Sequence, residues 1–413
     1  MSVHTGEQGN GALTGTVIVA FTKDWDDVPT CTTHLLRQMG RTIPVLWVGS
    51  IGTRKPHARS RKDWMRVLRR IAKGLLPAVH KENRLYVLHP LILPQAQSRW
   101  ARSLNRLLMG WYLRRFWRSQ EKQVPCCVEY WCFVPNAVDF LPPSGAGRPR
   151  SRVVYYVADD WTAFHHLDGA WLAAKEHELL ARADWVFATA PYLVDKLGGT
   201  RRELGRTDVR YMSHGVDYAQ FARALDRSAG LPLELVALPR PIIGFYGNLH
   251  PWVDFSLVET LARERPQWSF VLIGENYAAP ASLERLSNVH LLGRREHATL
   301  PDYCRGFDAG IIPYDMRQPR MESVNPVKTK ELLAAGVPVV ASAVPVLASY
   351  GDGVLVCRVV AEWVEALERQ ISRGAAERLA FSESMQAETW EAKARSLRGL
   401  LDVGEGASAD ATA

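Results

Sequence analysis

Short runs of consecutive apolar residues, each closed by a turn signal, recur along the chain and constrain its fold more than any other feature. The first is Val17-Ile18-Val19-Ala20, bounded by Gly15 and the polar Thr22-Lys23-Asp24. A continuous run this short reads as a strand buried on both faces, the condition of a parallel sheet. Pro44 to Val48, Leu85 to Leu88, Val128 to Phe133, Val153 to Val157 and Trp185 to Ala188 read the same way. Helical patterns at His34 to Met39 and Ala170 to Arg182 fall between them. The alternation restarts after residue 240, with strands expected at Ile242 to Tyr246, Phe270 to Ile273, Val289 to Leu292, Ala309 to Ile312, Val337 to Ala341 and Val354 to Val356. Helices fit at Ser256 to Glu264 and at Thr329 to Ala335, the latter stopped by Gly336 and Pro338. Strands alternating with helices, twice over, predict two α/β domains in tandem, with ligands expected in the crevice outside the carboxyl ends of their strands.

A chain of 413 residues accommodates two such domains, and 47% hydrophobic with 23% charged residues is enough to pack both cores. The boundaries expected are a disordered tail over 1–14, a first domain over 15–222 and a linker over 223–240. A second domain follows over 241–374, then a helix over 375–402 that crosses back to the first domain, and a tail over 403–413. The linker reading rests on Gly230, Pro232, Pro239 and Pro241. The polar, Gly-rich stretch Met1 to Gly15 lacks the pattern of a signal peptide, and no apolar run reaches the length of a membrane span. A cytoplasmic location is therefore expected. The six cysteines fit it: neither the Cys126, Cys127, Cys132 cluster nor the scattered Cys31, Cys304 and Cys357 has zinc-ligand spacing.

The net charge of +8 is concentrated. Residues 54–122 hold eighteen Lys and Arg against Asp63, Glu82 and Glu121, a local +15, so the remainder sums to −7. Two helical patterns lie inside that window. Lys62 to Lys73 places Trp64, Val67, Leu68 and Ile71 on one stripe, with Arg66, Arg69, Arg70 and Lys73 elsewhere. Ser98 to Ser119 carries Trp100, Leu104, Leu107, Leu108, Trp111, Tyr112 and Trp117 among six arginines, including Arg106, Arg114 and Arg115. Basic helices rich in Trp suit an anionic bilayer interface. The plain alternative is that the stripes face the domain core and the arginines are solvated. Nucleic acid would also accept such a surface, but the window has no recognition motif, so no nucleic-acid partner is expected.

The segment richest in chemistry is Ser323 to Ser342, SVNPVKTKELLAAGVPVVAS. It reads as a loop, a helix beginning near Pro326, and a Gly-Val-Pro turn into a buried strand. A helix N-terminus offers unpaired N–H groups and a partial positive charge to phosphate, and Lys328 in the first turn adds a full charge. Glu331, three residues on and on the same face, is suited to accept the hydroxyls of a ribose. A phosphate handle and a ribose handle one turn apart describe a nucleoside-diphosphate site. An ordinary amphipathic helix with solvated Lys and Glu would present the same residue types.

The pattern N-P-x-K-x-x-E-L-L-A-A-G-x-P-V-V resembles the donor-binding segment of GT-B glycosyltransferases, particularly those of bacterial surface-polysaccharide synthesis. The resemblance extends to Asp24-Trp25-Asp26, Tyr155-Tyr156-Val157-Ala158-Asp159-Asp160-Trp161, Ser213-His214-Gly215-Val216-Asp217, Gly244-Phe245-Tyr246-Gly247-Asn248-Leu249 and Leu272-Ile273-Gly274. It implies an α/β fold of two Rossmann-like domains facing a central cleft, with the acceptor domain first and the donor domain second. By position it implies Glu331 on the donor ribose, Lys328 on the phosphates, with Asn325 beside them. Gly247 and Asn248 fall at a strand end where a diphosphate approaches the backbone, and Gly274 and Glu275 near the base. Retaining relatives carry two glutamates separated by seven residues; here Ser323 takes the first place and Glu322 falls one position early, which leaves the stereochemical outcome open.

An inverting route would need a carboxylate base for the acceptor hydroxyl. Asp159 and Asp160, at the end of VVYYVADD, are candidates whose mutual repulsion would raise their pKa values, though Asp at a strand end also serves as a helix cap. Asp24 is a rival base, and His214 a possible donor or acceptor contact. The expectation is a hexosyltransferase-type enzyme moving sugar from a nucleotide-sugar, a UDP-sugar by preference, to a hydroxyl of a lipid-linked or saccharide acceptor. No cofactor and no metal is expected, because Lys328 and the helix N-terminus would hold the departing diphosphate. The place expected is the inner face of the cell membrane. A nucleotide-sugar 2-epimerase of the same fold is the alternative.

Overall fold

The computed structural model describes residues 15–27, 29–49, 77–93, 98–119, 125–143, 150–164 and 168–409. The chain resolves into two compact units. One comprises Met1–Val157, Trp161–Phe187 and Lys196–Arg210; the other comprises Ala158–Asp160, Ala188–Asp195 and Tyr211–Ala413.

The first sheet contains β1 (Thr16–Phe21), β2 (Val45–Val48), β3 (Val79–Glu82), β4 (Leu85–Leu88), β5 (Cys127–Cys132), β6 (Arg150–Val157), β7 (Trp185–Ala188) and β8 (Arg210–Tyr211). Their order is β3-β4-β2-β1-β5-β6-β7-β8. β1 runs parallel to both β2 and β5, so the strand order reverses beside it, while β3 is an antiparallel edge on β4. The apolar runs became buried strands, as their composition dictates. β3, with the sequence VHKE and mostly exposed side chains, has no such run and is not visible in the pattern.

The longer helices here are α1 (Cys31–Met39), α2 (Arg99–Ser119), α3 (Gly169–Arg182) and α4 (Pro191–Glu203). α2 buries Ala101, Asn105, Met109, Tyr112 and Phe116. Asn105 binds the backbone of Leu93 twice: its Oδ1 accepts from the Leu93 N–H and its Nδ2 donates to the Leu93 carbonyl, both at 2.8 Å. Tyr112 turns inward and accepts from the Leu91 N–H at 3.1 Å. The adjacent stripe of Trp100, Leu104, Leu107 and Trp111 is exposed, Trp100 and Leu107 by about two thirds (68% and 67%).

The second sheet holds β9 (Ile242–Tyr246), β10 (Ser269–Ile273), β11 (Val289–Gly293), β12 (Ala309–Ile312), β13 (Val339–Ser342) and β14 (Val354–Cys357). All are parallel, in the order β11-β10-β9-β12-β13-β14. This is the doubly wound arrangement, and its switch point lies between β9 and β12. Helices α5 (Phe255–Glu264), α6 (Leu300–Gly306), α7 (Val327–Ala334), α8 (Val360–Ile371), α9 (Ala375–Ser384) and α10 (Trp390–Ala409) belong to this half.

Two expectations need correction. The stretch 223–240, read as a linker, is folded: Ala224 and Leu235 are each 1% exposed in the core of the second unit, and Arg305 donates to the Asp226 and Gly230 carbonyls. The Pro and Gly residues shape turns on that core rather than a tether. The helix expected over 375–402 is two helices, because Thr389 is extended. There Val216 N–H donates to the Glu388 carbonyl and Trp390 N–H to the Val216 carbonyl, a β-bridge that helical geometry excludes.

Candidate functional site

At the switch point β9 ends in Tyr246 and the chain turns at Gly247, whose φ is +134°. A Cβ there would sit 2.2 Å from Lys328 Nζ, so the missing side chain is what lets the ammonium lie against the strand end. Gly274, after β10, has φ +158°, and a Cβ on it would lie 2.0 Å from the Gly247 carbonyl oxygen. Two side-chain-free strand ends thus meet beneath one cation. Lys328 Nζ also rests over the rings of Phe245 (4.6 Å) and Tyr314 (5.6 Å), which hold its position with their π faces.

One turn along α7, Glu331 is buried, and both its oxygens are engaged. Oε2 accepts from Tyr246 Oη at 3.1 Å and Oε1 pairs with His297 Nε2 at 2.8 Å. The hydrogen bond to Glu331 raises the His297 pKa above its ordinary value against a smaller opposing effect of burial. Burial, reinforced by the Glu331 charge, holds the Tyr246 phenol well above its usual range, so it stays a donor. Tyr246 and His297 escaped the sequence reading: they lie 85 and 34 residues from Glu331, and neither stands in a motif that names a partner.

The other predicted residues divide. Asn248 and Glu275 are exposed beside the glycines, where Leu249 N–H donates to the Glu275 carbonyl and joins the two loops. Asn325 is buried and donates to the Thr189 carbonyl at 2.7 Å, which makes it a brace for the loop before α7. Glu322 is exposed on a 3-10 turn. His214 is 5% exposed against Trp390, and burial together with the Lys330 charge pushes its pKa down to about 3, so it is neutral.

Asp159 pairs with Arg320 at 3.2 Å, and Asp160 is 6% exposed. Burial is the main cause of the raised Asp159 pKa, Arg320 opposes it, and the repulsion from Asp160 expected from the sequence is the smallest contribution. Asp24 lies in the other unit, 3.4 Å from His89 Nδ1. Of the basic, aromatic residues, Trp64, Arg69 and Arg70 lie outside the described residues. Trp100, Trp111 and Arg114 are exposed on α2, Arg115 stacks on Trp111 at 5.4 Å, Trp117 is half-buried, and Arg106 donates to the Asp139 carbonyl at 3.3 Å.

A cation above two glycines at a strand switch point, with a buried carboxylate one turn away, is the geometry on which the comparisons bear. Residues 240–373 match the family model described as glycosyl transferases group 1. That span covers β9 through α8 and contains Gly247, Gly274, Lys328 and Glu331. The chain is 30% identical over 212 residues to TuaH of Bacillus subtilis (strain 168), assigned there to teichuronic acid biosynthesis as a glycosyltransferase. That match takes in 47% of this chain and 51% of TuaH, so it spans about half the length of the curated relative. Among solved structures, sucrose-phosphate synthase from Thermosynechococcus elongatus superposes with TM-score 0.64 at 15% identity, over 95% of this chain and all (100%) of that one. HepE of Anabaena, solved with UDP and glucose, gives TM-score 0.61 at 13% identity, over 93% and 99%. The fold is GT-B.

Proposed function

We propose that this protein transfers a sugar from a nucleotide-sugar, a UDP-sugar by preference, to a hydroxyl of a lipid-linked or saccharide acceptor at an anionic membrane surface. The observation that carries the proposal is the ammonium of Lys328 seated where only Gly247 leaves room. A diphosphate entering there meets a fixed positive charge with no side chain at Gly247 in its way. Glu331 accepts the ribose hydroxyls by exchanging one of its present donors, Tyr246 or His297. The acceptor hydroxyl attacks the anomeric carbon, the bond from that carbon to the diphosphate oxygen breaks, and the proton passes to a carboxylate. Asp159 and Asp160 are the proposed source of that base, with Asp24 the rival; burial has already made Asp159 more basic than an exposed aspartate. Lys328 and the α7 N-terminus take the charge of the leaving diphosphate, so the reaction is proposed to need no divalent metal.

No helix among the described residues is long and apolar enough to cross a membrane. The exposed Trp and Leu stripe of α2, flanked by arginines, is proposed to lie in the headgroup region of an anionic leaflet.

Calorimetric titration of UDP and GDP, in buffer containing EDTA, tests the donor site. UDP is expected to bind in the micromolar range, and Glu331→Ala to weaken it at least tenfold. A folded wild-type protein that binds neither nucleotide would defeat the proposal.

A further inference from the structure

The two groups that hold the Glu331 carboxylate differ in how firmly the fold holds them. Tyr246 is the last residue of β9, 4% exposed and packed in the core of the second unit, so its phenol on Oε2 is fixed by the sheet. His297 opens the three-residue 3-10 turn His297–Thr299, and its side chain is 46% exposed. Glu331 itself is 8% exposed. The imidazole on Oε1 is therefore the cover that can move, over a carboxylate that is otherwise enclosed.

The surroundings of the ring are defined on each side. Gln220, on the short helix Tyr218–Ala222, donates to the His297 carbonyl at 2.9 Å and lies 3.2 Å from Nδ1. Phe221 meets the ring edge to face at 5.4 Å. Arg223 donates to the neighbouring Ala298 carbonyl at 3.0 Å, and Glu296 stands exposed on the preceding residue. The negative charges that favour the protonated ring are Glu331, which bonds it, and then Asp217. Tyr246 and Cys304 complete the titratable groups around Glu331, and burial, then the Glu331 charge, keeps both protonated.

We infer that His297 is a gate on the ribose carboxylate: it caps Glu331 while the donor site is empty and yields Oε1 to the ribose hydroxyls of the nucleotide. This rests on the donor reading above and chooses between the two exchanges it left open. Exchange at Oε2 strands the buried Tyr246 phenol, leaving it the Lys328 carbonyl at 3.5 Å. An imidazole released from Oε1 meets water instead. Release also separates the ring from the charge that favoured its proton, so the freed ring holds that proton less firmly than the capped one. The sign follows: donor affinity rises with pH above the ordinary histidine value of 6.5 and levels off once the capped ring is neutral. A nucleotide without ribose hydroxyls has nothing to exchange for the imidazole and leaves the cap in place.

Calorimetry on the full chain compares UDP with 2′,3′-dideoxy-UDP, which has the same base and titrating phosphate but no hydroxyl for Oε1. Between about pH 6 and about pH 8.5, UDP affinity is expected to rise at least threefold more than that of dideoxy-UDP. His297→Gln keeps a neutral donor toward Glu331 and is expected to abolish that extra rise. His297→Ala removes the cap; at neutral pH it is expected to tighten UDP about threefold and to leave dideoxy-UDP within about twofold of wild type. Should His297→Ala not fold, the pH profiles of wild type and His297→Gln carry the test. A purely structural His297 would weaken both nucleotides alike in His297→Ala, and that result overturns the inference. Matching UDP profiles in wild type and His297→Gln overturn it as well. Wild-type protein that binds dideoxy-UDP as tightly as UDP removes the ribose role of Glu331 and the gate with it. Protein that binds neither nucleotide strikes the donor reading itself.

Discussion

Helices α2 and α7 are both rich in cations, and they dispose of them in opposite ways. α2 is long, 21 residues, and keeps one face in the core while turning an arginine- and tryptophan-bearing face to the outside. α7 is 8 residues long and buries Thr329 to Ala334, Lys330 and Glu331 among them. The difference lies in the partners. Inside the second unit every buried charge on α7 meets an opposite charge or a directed dipole, and the carboxylate and ammonium groups are held by atoms from remote parts of the chain. On α2, by contrast, Arg106 donates to the Asp139 carbonyl and Arg115 lies over Trp111, while Arg114 is exposed. A charged helix buried with partners fixes a geometry; one left outside keeps a charged, aromatic surface.

The sharpest way to break this comparison is to remove one cation from each helix. Lys330→Met leaves Glu388 with Lys393 alone and Ser213 without its donor, and is expected to cost about 2–4 kcal/mol in denaturant unfolding. Arg114→Met on α2 is expected to fall within about 0.5 kcal/mol of wild type. Equal losses would erase the distinction. A smaller effect, read on a different axis, comes from Trp100→Ala with Trp111→Ala. That pair is expected to weaken sedimentation with phosphatidylglycerol-rich vesicles about tenfold, with UDP affinity unchanged. Wild-type protein that fails to sediment with those vesicles would overturn the membrane role proposed for α2.

The mildest test is acid titration. Burial tends to raise the Glu388 pKa, but Lys330 and Lys393 prevail and bring it down to about 2 from an ordinary 4.5. A carboxylate depressed by folding adds stability that is complete above the unfolded value and is lost as pH falls. The window is therefore pH 4.5 to 2, where wild-type stability should decline. Glu388→Gln should flatten that limb, and arginine changes on α2 should leave it alone. An acid limb of the same slope in Glu388→Gln would show that other carboxylates carry it.

What the sequence disclosed follows from how locally each feature is encoded. The strand cores at Val17 to Ala20, Ile242 to Tyr246 and Ala309 to Ile312 were legible because a strand buried on both faces must be apolar throughout. The approach of Lys328 to a glycine was half legible: the motif supplied both residues, but not that Phe245 and Tyr314 fix the ammonium. Glu331 stood out in the sequence, but its hydrogen bonds did not, because its partners come from β9 and from the turn before α6. Lys330 gave no signal at all. One more lysine in a basic helix start looks solvated until the fold delivers Glu388 to it. The break at Thr389 was hidden for the same reason, since only Val216, far upstream, makes the extended backbone worth more than a helical turn.

The ion pair between Lys330 and Glu388 spans 58 residues, and that separation matters during synthesis. As the chain is made, α7 emerges well ahead of the carboxylate that neutralises its inner lysine. An ammonium without a counter-charge is poorly tolerated in an apolar interior, so α7 cannot settle fully until Glu388 has left the ribosome. The order of translation thereby places the completion of α7, with Lys328 and Glu331 on it, after the synthesis of the turn that carries Glu388.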